Sequence, residues 1–396
     1  MSANESMIAR EQTVVMQTYG RQPVAFASGE GSWLVDADGK RYLDCLGGLA
    51  VVAVGHSNPR VAAAVATQMS TLVHVSNLFL TEPMIRLAER LANLADLDRV
   101  FFSNDGATAN EAAIKLARRY GQTVRGPDCY RIVSLADSFH GRTLATLAAT
   151  GQPARQATFA PLPSGFQQVE ANDLDALEKV VGAGTAAVML ETVQGEGGVN
   201  PLEVDYLKAV RRLCDDTGAL LIIDDIQAGL GRTGQWFSWQ ALGLQPDVAT
   251  VAKALANGLP IGACLATDRV ASAFRPGDHA TTFGGGPVVC AAALAVLDEI
   301  EHRSLLDNCR ERSGQLRTGL ELLSGVVEVR GRGLLLAAVL DSDRAPAVVD
   351  AARESGMIVN AVRPDAVRFA PPLTISRDEV DIAIERFGFA LQEAVS

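Results

Sequence analysis

The chain has 396 residues, 48% of them hydrophobic and 20% charged, with Gly and Pro neither repetitive nor in excess. That composition excludes collagenous, mucin-like and largely disordered classes, and the length predicts two or three structural units or one large α/β domain with an accessory domain. The 35 basic against 46 acidic residues leave a net charge of −11, and with no Lys/Arg cluster to offset it a nucleic-acid partner is not expected.

The first twelve residues mix charged and polar side chains without the apolar stretch of a secretion signal, and the longest nearly apolar run, 287–297, is far too short to span a membrane. Residues 31–42 read as a hairpin turning at Asp36-Ala37-Asp38-Gly39. From about residue 100 a different pattern repeats: a short run rich in Val, Ile or Leu, a polar or Gly-containing turn, then helical apolar spacing. The runs at 100–103, 131–135, 186–190, 220–223 and 248–251 are apolar almost throughout. Strands covered on both faces have that composition, so a mostly parallel central sheet is expected. After about residue 300 come a helical stretch, a strand-like 326–329, the Gly-rich 330–333 and a second run at 334–340. Both flanks are too small to stand alone. They are expected to pack as one smaller α+β domain of residues 1–49 and 296–396 beside a large domain of 50–295.

Six cysteines are widely spaced with no C-x-x-C pair, which predicts buried thiols in a reducing compartment and a cytoplasmic protein. His56, His74, His279 and His302 show no ligand spacing, so no metal site is assigned.

In a parallel sheet with crossover helices, ligands bind outside the carboxyl ends of the strands. The residues that follow the five runs form a coherent set: Asp105-Gly106-Ala107; Phe139-His140-Gly141-Arg142; Glu191 and Gln194-Gly195-Glu196; Asp224-Asp225-Ile226-Gln227; and Lys253. Pyridoxal phosphate needs a lysine amine for its aldehyde, a carboxylate to keep its pyridine nitrogen protonated, backbone N–H groups for its phosphate and an aromatic face. Lys253 and Asp224 supply the first two. Gly106 and Ala107, opening a helix, supply amides and a positive dipole end. Phe139 stacks on one ring face with His140 packed beside it, Ile226 presses on the other, and Gln227 reaches the ring hydroxyl.

The motifs YLDCLGGLAVVAVGH, NEAAIKLAR, SFHGRT, ETVQGEGGV, LLIIDDIQAGLGRTG, TVAKALANGLPIGA, TTFGGGP and RFAPPL make the chain similar, over roughly residues 13–392, to the class III, fold type I pyridoxal-phosphate aminotransferases, and most of all to the acetylornithine and ornithine aminotransferases. The resemblance implies that Lys253 is the Schiff-base lysine, that Asp224 partners the pyridine nitrogen, and that Thr282, with Thr281 beside it, binds phosphate in the neighbouring subunit of a homodimer with shared active sites. It implies that Arg142 holds the α-carboxylate of the ω-amino donor, that Arg368 binds 2-oxoglutarate, and that Glu196 pairs with Arg368 while the donor is bound. Arginine suits both tasks because its planar fork grips a carboxylate bidentately. The expected reaction moves the terminal amino group of N-acetylornithine or a similar ω-amino acid to 2-oxoglutarate. The rival is another pyridoxal-phosphate reaction on an amino acid: elimination, γ-replacement or cyclisation.

Several positions depart from the family pattern. Where relatives carry Ser-Gly-Ala-Glu, this chain has Asp105-Gly106-Ala107-Thr108, which places a carboxylate beside the expected phosphate. At ~5 Å and an effective dielectric near 20 each such charge pair costs about 3 kcal/mol, so Asp105 is expected to rotate away, to meet a cation or to weaken cofactor retention. Asp225, Ala228, Gly286, Val52 and Thr192 replace the usual Glu, Thr, Asn, Asn and Pro.

Overall fold

The computed structural model describes residues 1–394. Its central sheet has seven strands in the order Arg99–Ser103, Gly262–Ala266, Val248–Val251, Leu220–Asp224, Thr185–Leu190, Arg131–Leu135, Phe166–Val169. Gly262–Ala266 runs antiparallel to both of its neighbours, and the other six strands share one direction. Thr185–Leu190, Leu220–Asp224 and Val248–Val251 are buried at every residue, which explains why they read as unbroken apolar runs.

All five expected strands are present. The two additional strands carry weak signals for identifiable reasons. Phe166–Val169 is an edge strand with two glutamines and half-buried side chains. Gly262–Ala266, sequence GACLA, has no β-branched or aromatic residue, so only its position between two strands makes it one.

Helix Gly106–Val124 turns its buried alanines, Ala109, Ala112, Ala113 and Ala117, to the sheet. The approach is close enough that a Cβ on Gly121 would lie 3.1 Å from Ala186 Cβ in the sheet and 2.4 Å from the Cys129 carbonyl oxygen in the following loop.

The expected hairpin forms between Trp33–Asp36 and Arg41–Asp44, closed by Gly39 at φ +88°. Met357–Ile358 pairs in parallel with Arg41–Asp44, so the two flanks share a sheet. A second four-stranded sheet, in the order Val326–Arg332, Leu335–Leu340, Ala366–Phe369, Asn360–Arg363, completes the C-terminal part. Helix Pro287–His302 runs without interruption through residue 295 and packs on helices Pro59–Thr71 and Glu82–Ala95. Among the described residues, no helix is long and apolar enough to cross a membrane.

Candidate active site

A cavity of about 400 Å³ opens at the carboxyl ends of the parallel strands, and Gly106, Ala107, Phe139, His140, Arg142, Glu196, Asp224, Ile226, Gln227 and Lys253 all line it. Lys253 follows strand Val248–Val251 and enters a short 3-10 turn at φ +39°. A side chain seldom adopts that left-handed conformation, which costs free energy that the surrounding fold must offset. Burial pushes the Lys253 amine down from its ordinary range; Glu196, Asp224 and Glu191 act against that shift, and Arg368 reinforces it.

Asp224 closes strand Leu220–Asp224 and is 4% exposed. Its Oδ2 accepts from Asn110 Nδ2 at 2.7 Å and from His140 Nδ1 at 2.8 Å, while Oδ1 accepts from the Ile226 amide at 3.2 Å. Asn110 is held from its other end. Thr250 Oγ1 donates to Asn110 Oδ1 at 2.7 Å, and Asn110 Nδ2 also donates to the His140 carbonyl at 2.7 Å. The hydroxyl thus sets which way the amide faces, and all three partners are buried.

Gly106 opens the 19-residue helix Gly106–Val124 beneath Ile226, whose Cδ1 would lie 2.9 Å from a Cβ at that position. Asp105 caps this helix. Its Oδ1 accepts from the Thr108 amide at 2.8 Å and from Thr108 Oγ1 at 2.9 Å, and Thr108 Oγ1 accepts from the Asp105 amide at 3.0 Å. Hydroxyl and carboxylate have therefore traded places relative to Ser-Gly-Ala-Glu, and the reciprocal capping box survives. Among the described residues Asp105 meets no cation; one carboxylate oxygen turns to Thr108 and the residue is exposed, while it still lines the cavity.

Glu196 Oε1 meets Arg368 Nη1 at 2.5 Å. Arg368, 1% exposed, also donates to the Gly195 carbonyl, to Gln227 Oε1 and to Asn360 Oδ1. Burial raises the Glu196 carboxyl, but the charges of Arg368 and Lys253 outweigh that effect and hold it below its usual range. Gln227, expected at the ring hydroxyl, also donates to Glu196 at 3.4 Å. Glu191 lines the same cavity with Oε2 accepting from the Phe139 amide at 2.9 Å; burial and then the charge of Asp224 push its carboxyl well above the ordinary range. Arg142 is exposed at the mouth, its guanidinium carbon 5.7 Å from the Phe139 ring centroid.

Two expected residues lie elsewhere. Thr282 lines a separate crevice with His74, Phe79 and Met84, and the Thr281 carbonyl accepts from Asn77 Nδ2 at 3.0 Å.

Residues 15–391 match the model of the class-III aminotransferase family. The chain belongs to that family. As a class-III aminotransferase it is 49% identical over 375 residues to the acetylornithine aminotransferase of Gloeobacter violaceus, covering 93% of this chain and 94% of that one. It superposes with a TM-score of 0.95 on the ornithine aminotransferase of Toxoplasma gondii, at 32% identity and 100% and 96% coverage, in a structure described as having partial occupancy of PLP. The N-acetylornithine aminotransferase of Stenotrophomonas maltophilia gives 0.85 at 36% identity, covering 98% and 99%.

The donor set fits pyridoxal phosphate. A lysine amine, an anchored carboxylate, a glycine-opened helix terminus and an aromatic face border one cavity, and the buried His140 Nε2 has no partner among the described residues. Asn110 and Thr250 were not singled out in the sequence, and Glu191 was placed at its strand end but given no role. Asn110 offered only a polar side chain within an otherwise apolar helix face, and Thr250 offered nothing to separate it from a strand residue.

Proposed function

We propose that the chain uses pyridoxal phosphate to move the terminal amino group of N-acetylornithine, or a similar ω-amino acid, to 2-oxoglutarate. The observation that carries this reading is that Glu196, which lines the cavity of Lys253 and Asp224, is paired with the buried Arg368. While the pair is closed, Glu196 neutralises the buried guanidinium and the cavity suits a donor whose reacting end has no carboxylate. When Glu196 swings away, Arg368 can grip the α-carboxylate of 2-oxoglutarate bidentately.

Bound at Lys253, the cofactor supplies an electron sink for the carbon that loses its proton. Lys253 Nζ, its proton affinity lowered by burial, would be the amine that holds the cofactor and, once released from it, the base placed to move the proton. Asp224, fixed by Asn110 and His140, would keep the pyridine nitrogen protonated. The amides of Gly106 and Ala107 and the dipole of their helix would hold the phosphate. Phe139 and Ile226 would border the ring faces, and Gln227 would serve the ring hydroxyl. Arg142 receives the far carboxylate of the donor.

The same reading makes the enzyme a cytoplasmic homodimer in which Thr282 and Thr281 reach the partner's phosphate. Support comes from the separation of Thr282 from its own cavity and from the exposed Leu78, Phe79, Leu80 and Phe283, apolar side chains that a second copy would cover. It also keeps a large domain of residues 50–295 and a small one of 1–49 and 296–396, the latter supported by the shared sheet of the flanks.

The test is spectroscopic. Holoenzyme mixed with N-acetylornithine is expected to pass from the pyridoxal to the pyridoxamine absorption, and 2-oxoglutarate to reverse it. A donor consumed without the pyridoxamine form, or a form that 2-oxoglutarate cannot reverse, rejects the reading in favour of elimination or replacement chemistry. For the dimer, mixing inactive Lys253→Ala chains with weakened Thr282→Val chains should recover activity, and no recovery in mixed dimers removes the shared site.

A further inference from the structure

Beside Arg142, around the Phe139 ring that lines the cavity, stands a second cation that the proposed reaction leaves unused. Arg155, on the short helix Pro153–Ala157, places its guanidinium carbon 5.6 Å from the Phe139 ring centroid, against 5.7 Å for Arg142. Phe139 itself is fixed by the hydrogen bond its amide donates to Glu191 Oε2 and lines the cavity. Among the described residues neither guanidinium has a carboxylate at ion-pair distance. Most other arginines near the site are engaged: Arg363 pairs with Asp137, and Arg368 with Glu196.

Two like charges held around one aromatic ring without a counter-ion are unfavourable unless an anion arrives from outside. Burial and then the charge of Arg142 both work against the Arg155 guanidinium, with Glu196 opposing them. A donor entering amine first leaves its α-carbon at this mouth. If the α-amine is acylated, the two guanidiniums meet a carboxylate and a neutral amide. If it is free, they also meet an ammonium with no acid beside it.

We propose that Arg155 and Arg142 together form the subsite for the donor end distal to the transferred amine, and that the pair selects N-acylated ω-amino acids over those with a free α-ammonium. The inference rests on the reading of the chain as an ω-aminotransferase and adds Arg155 as its specificity-determining residue.

The experiment compares Arg155→Gln and Arg155→Lys with wild type in the donor half-reaction. Arg155→Gln is expected to lower the ratio of kcat/KM for N-acetylornithine over ornithine about tenfold, through KM rather than kcat. Arg155→Lys should keep the ratio within about threefold. Calorimetry on the holoenzyme with N-acetylnorvaline, which keeps the acetylated end but lacks the reacting amine, should show about tenfold weaker binding to Arg155→Gln. An unchanged ratio with unchanged N-acetylnorvaline affinity overturns the proposal, as does an equal loss for both donors. If wild type forms no pyridoxamine from N-acetylornithine, the activity reading fails; N-acetylnorvaline binding to wild type and its loss in Arg155→Gln then still decide the subsite.

Discussion

Glu196 closes on Arg368 at 2.5 Å, and the guanidinium it neutralises is 1% exposed. Replacing Glu196 by Gln removes the counter-charge while Gly195, Gln227 and Asn360 still accept from Arg368. Arg368 is then free for any incoming α-carboxylate. Glutamate should become a better amino donor, with kcat/KM about tenfold higher, and N-acetylornithine a poorer one. Cofactor affinity should stay within about threefold, because Glu196 makes no contact with the helix terminus or Asp224. Stopped-flow half-reactions with both amino acids measure the change, and unaltered donor preference would sink the switching role.

Thr250 orients Asp224 through Asn110, at a sequence separation of 140 residues for the first contact and 114 for the second. Thr250→Val keeps the shape and removes the hydroxyl. Asn110 Oδ1 is then buried without a donor, a loss of about 1–3 kcal/mol, and the amide can turn its oxygen toward the Asp224 carboxylate. The expected result is a lower melting temperature and a kcat reduced about tenfold, with Thr250→Ser recovering both. The cofactor's absorption as a function of pH gives a readout that general destabilisation does not move: its pyridine nitrogen should lose its proton at lower pH in Thr250→Val.

Asp105 shows how a side chain's direction changes an electrostatic argument. With the carboxylate tied to Thr108 and exposed to water, the full ~3 kcal/mol repulsion falls to about 1 kcal/mol or less by solvent screening. Asp105→Ser should therefore change pyridoxal-phosphate affinity by less than about tenfold. Asp105→Ala, which removes the cap, should cost about 1 kcal/mol of stability. Fluorescence titration of apoenzyme and thermal unfolding check the two effects, and a gain in affinity well beyond tenfold on Asp105→Ser would restore the strong repulsion.

The strand ends were readable because parallel strands covered on both faces are apolar until they reach the sheet edge, so the first polar residue beyond each run marks the ligand side. Asp224, Glu191 and Lys253 were placed by that rule, and Phe139 by lying in the turn that follows the run at 131–135. Asn110 and Thr250 escaped it because each acts through a partner more than a hundred residues away, and no local spacing encodes such a contact. The charge of Asp105 was visible in the sequence, but its rotamer was not. Thr192 and Asp225 looked like independent departures from the family pattern, yet Ser238 joins them: Thr192 Oγ1 donates to Ser238 Oγ at 2.6 Å, and Ser238 bonds Asp225 through both its amide and its hydroxyl.

That cluster carries a pH dependence. Asp225 is 1% exposed, and burial pushes its carboxyl up to about 7, with Asp224 adding to the rise and Ser238 opposing it. Unfolded, it titrates near 3.9. Between those values the folded state binds the extra proton, so the contribution of Asp225 is fully present below about pH 4 and is lost as pH rises to about 7, at up to about 1.4 kcal/mol per pH unit. Asp225→Asn keeps the shape, can still accept from the Ser238 amide, and does not titrate. Denaturant unfolding of both proteins from pH 5 to pH 9 should show wild type losing stability relative to Asp225→Asn up to about pH 7, with a constant difference beyond. The comparison isolates Asp225 because Glu191, which is raised in the same direction, is present in both proteins. Parallel curves across the whole range would mean that the carboxyl is already ionised at pH 5 and held so by Ser238.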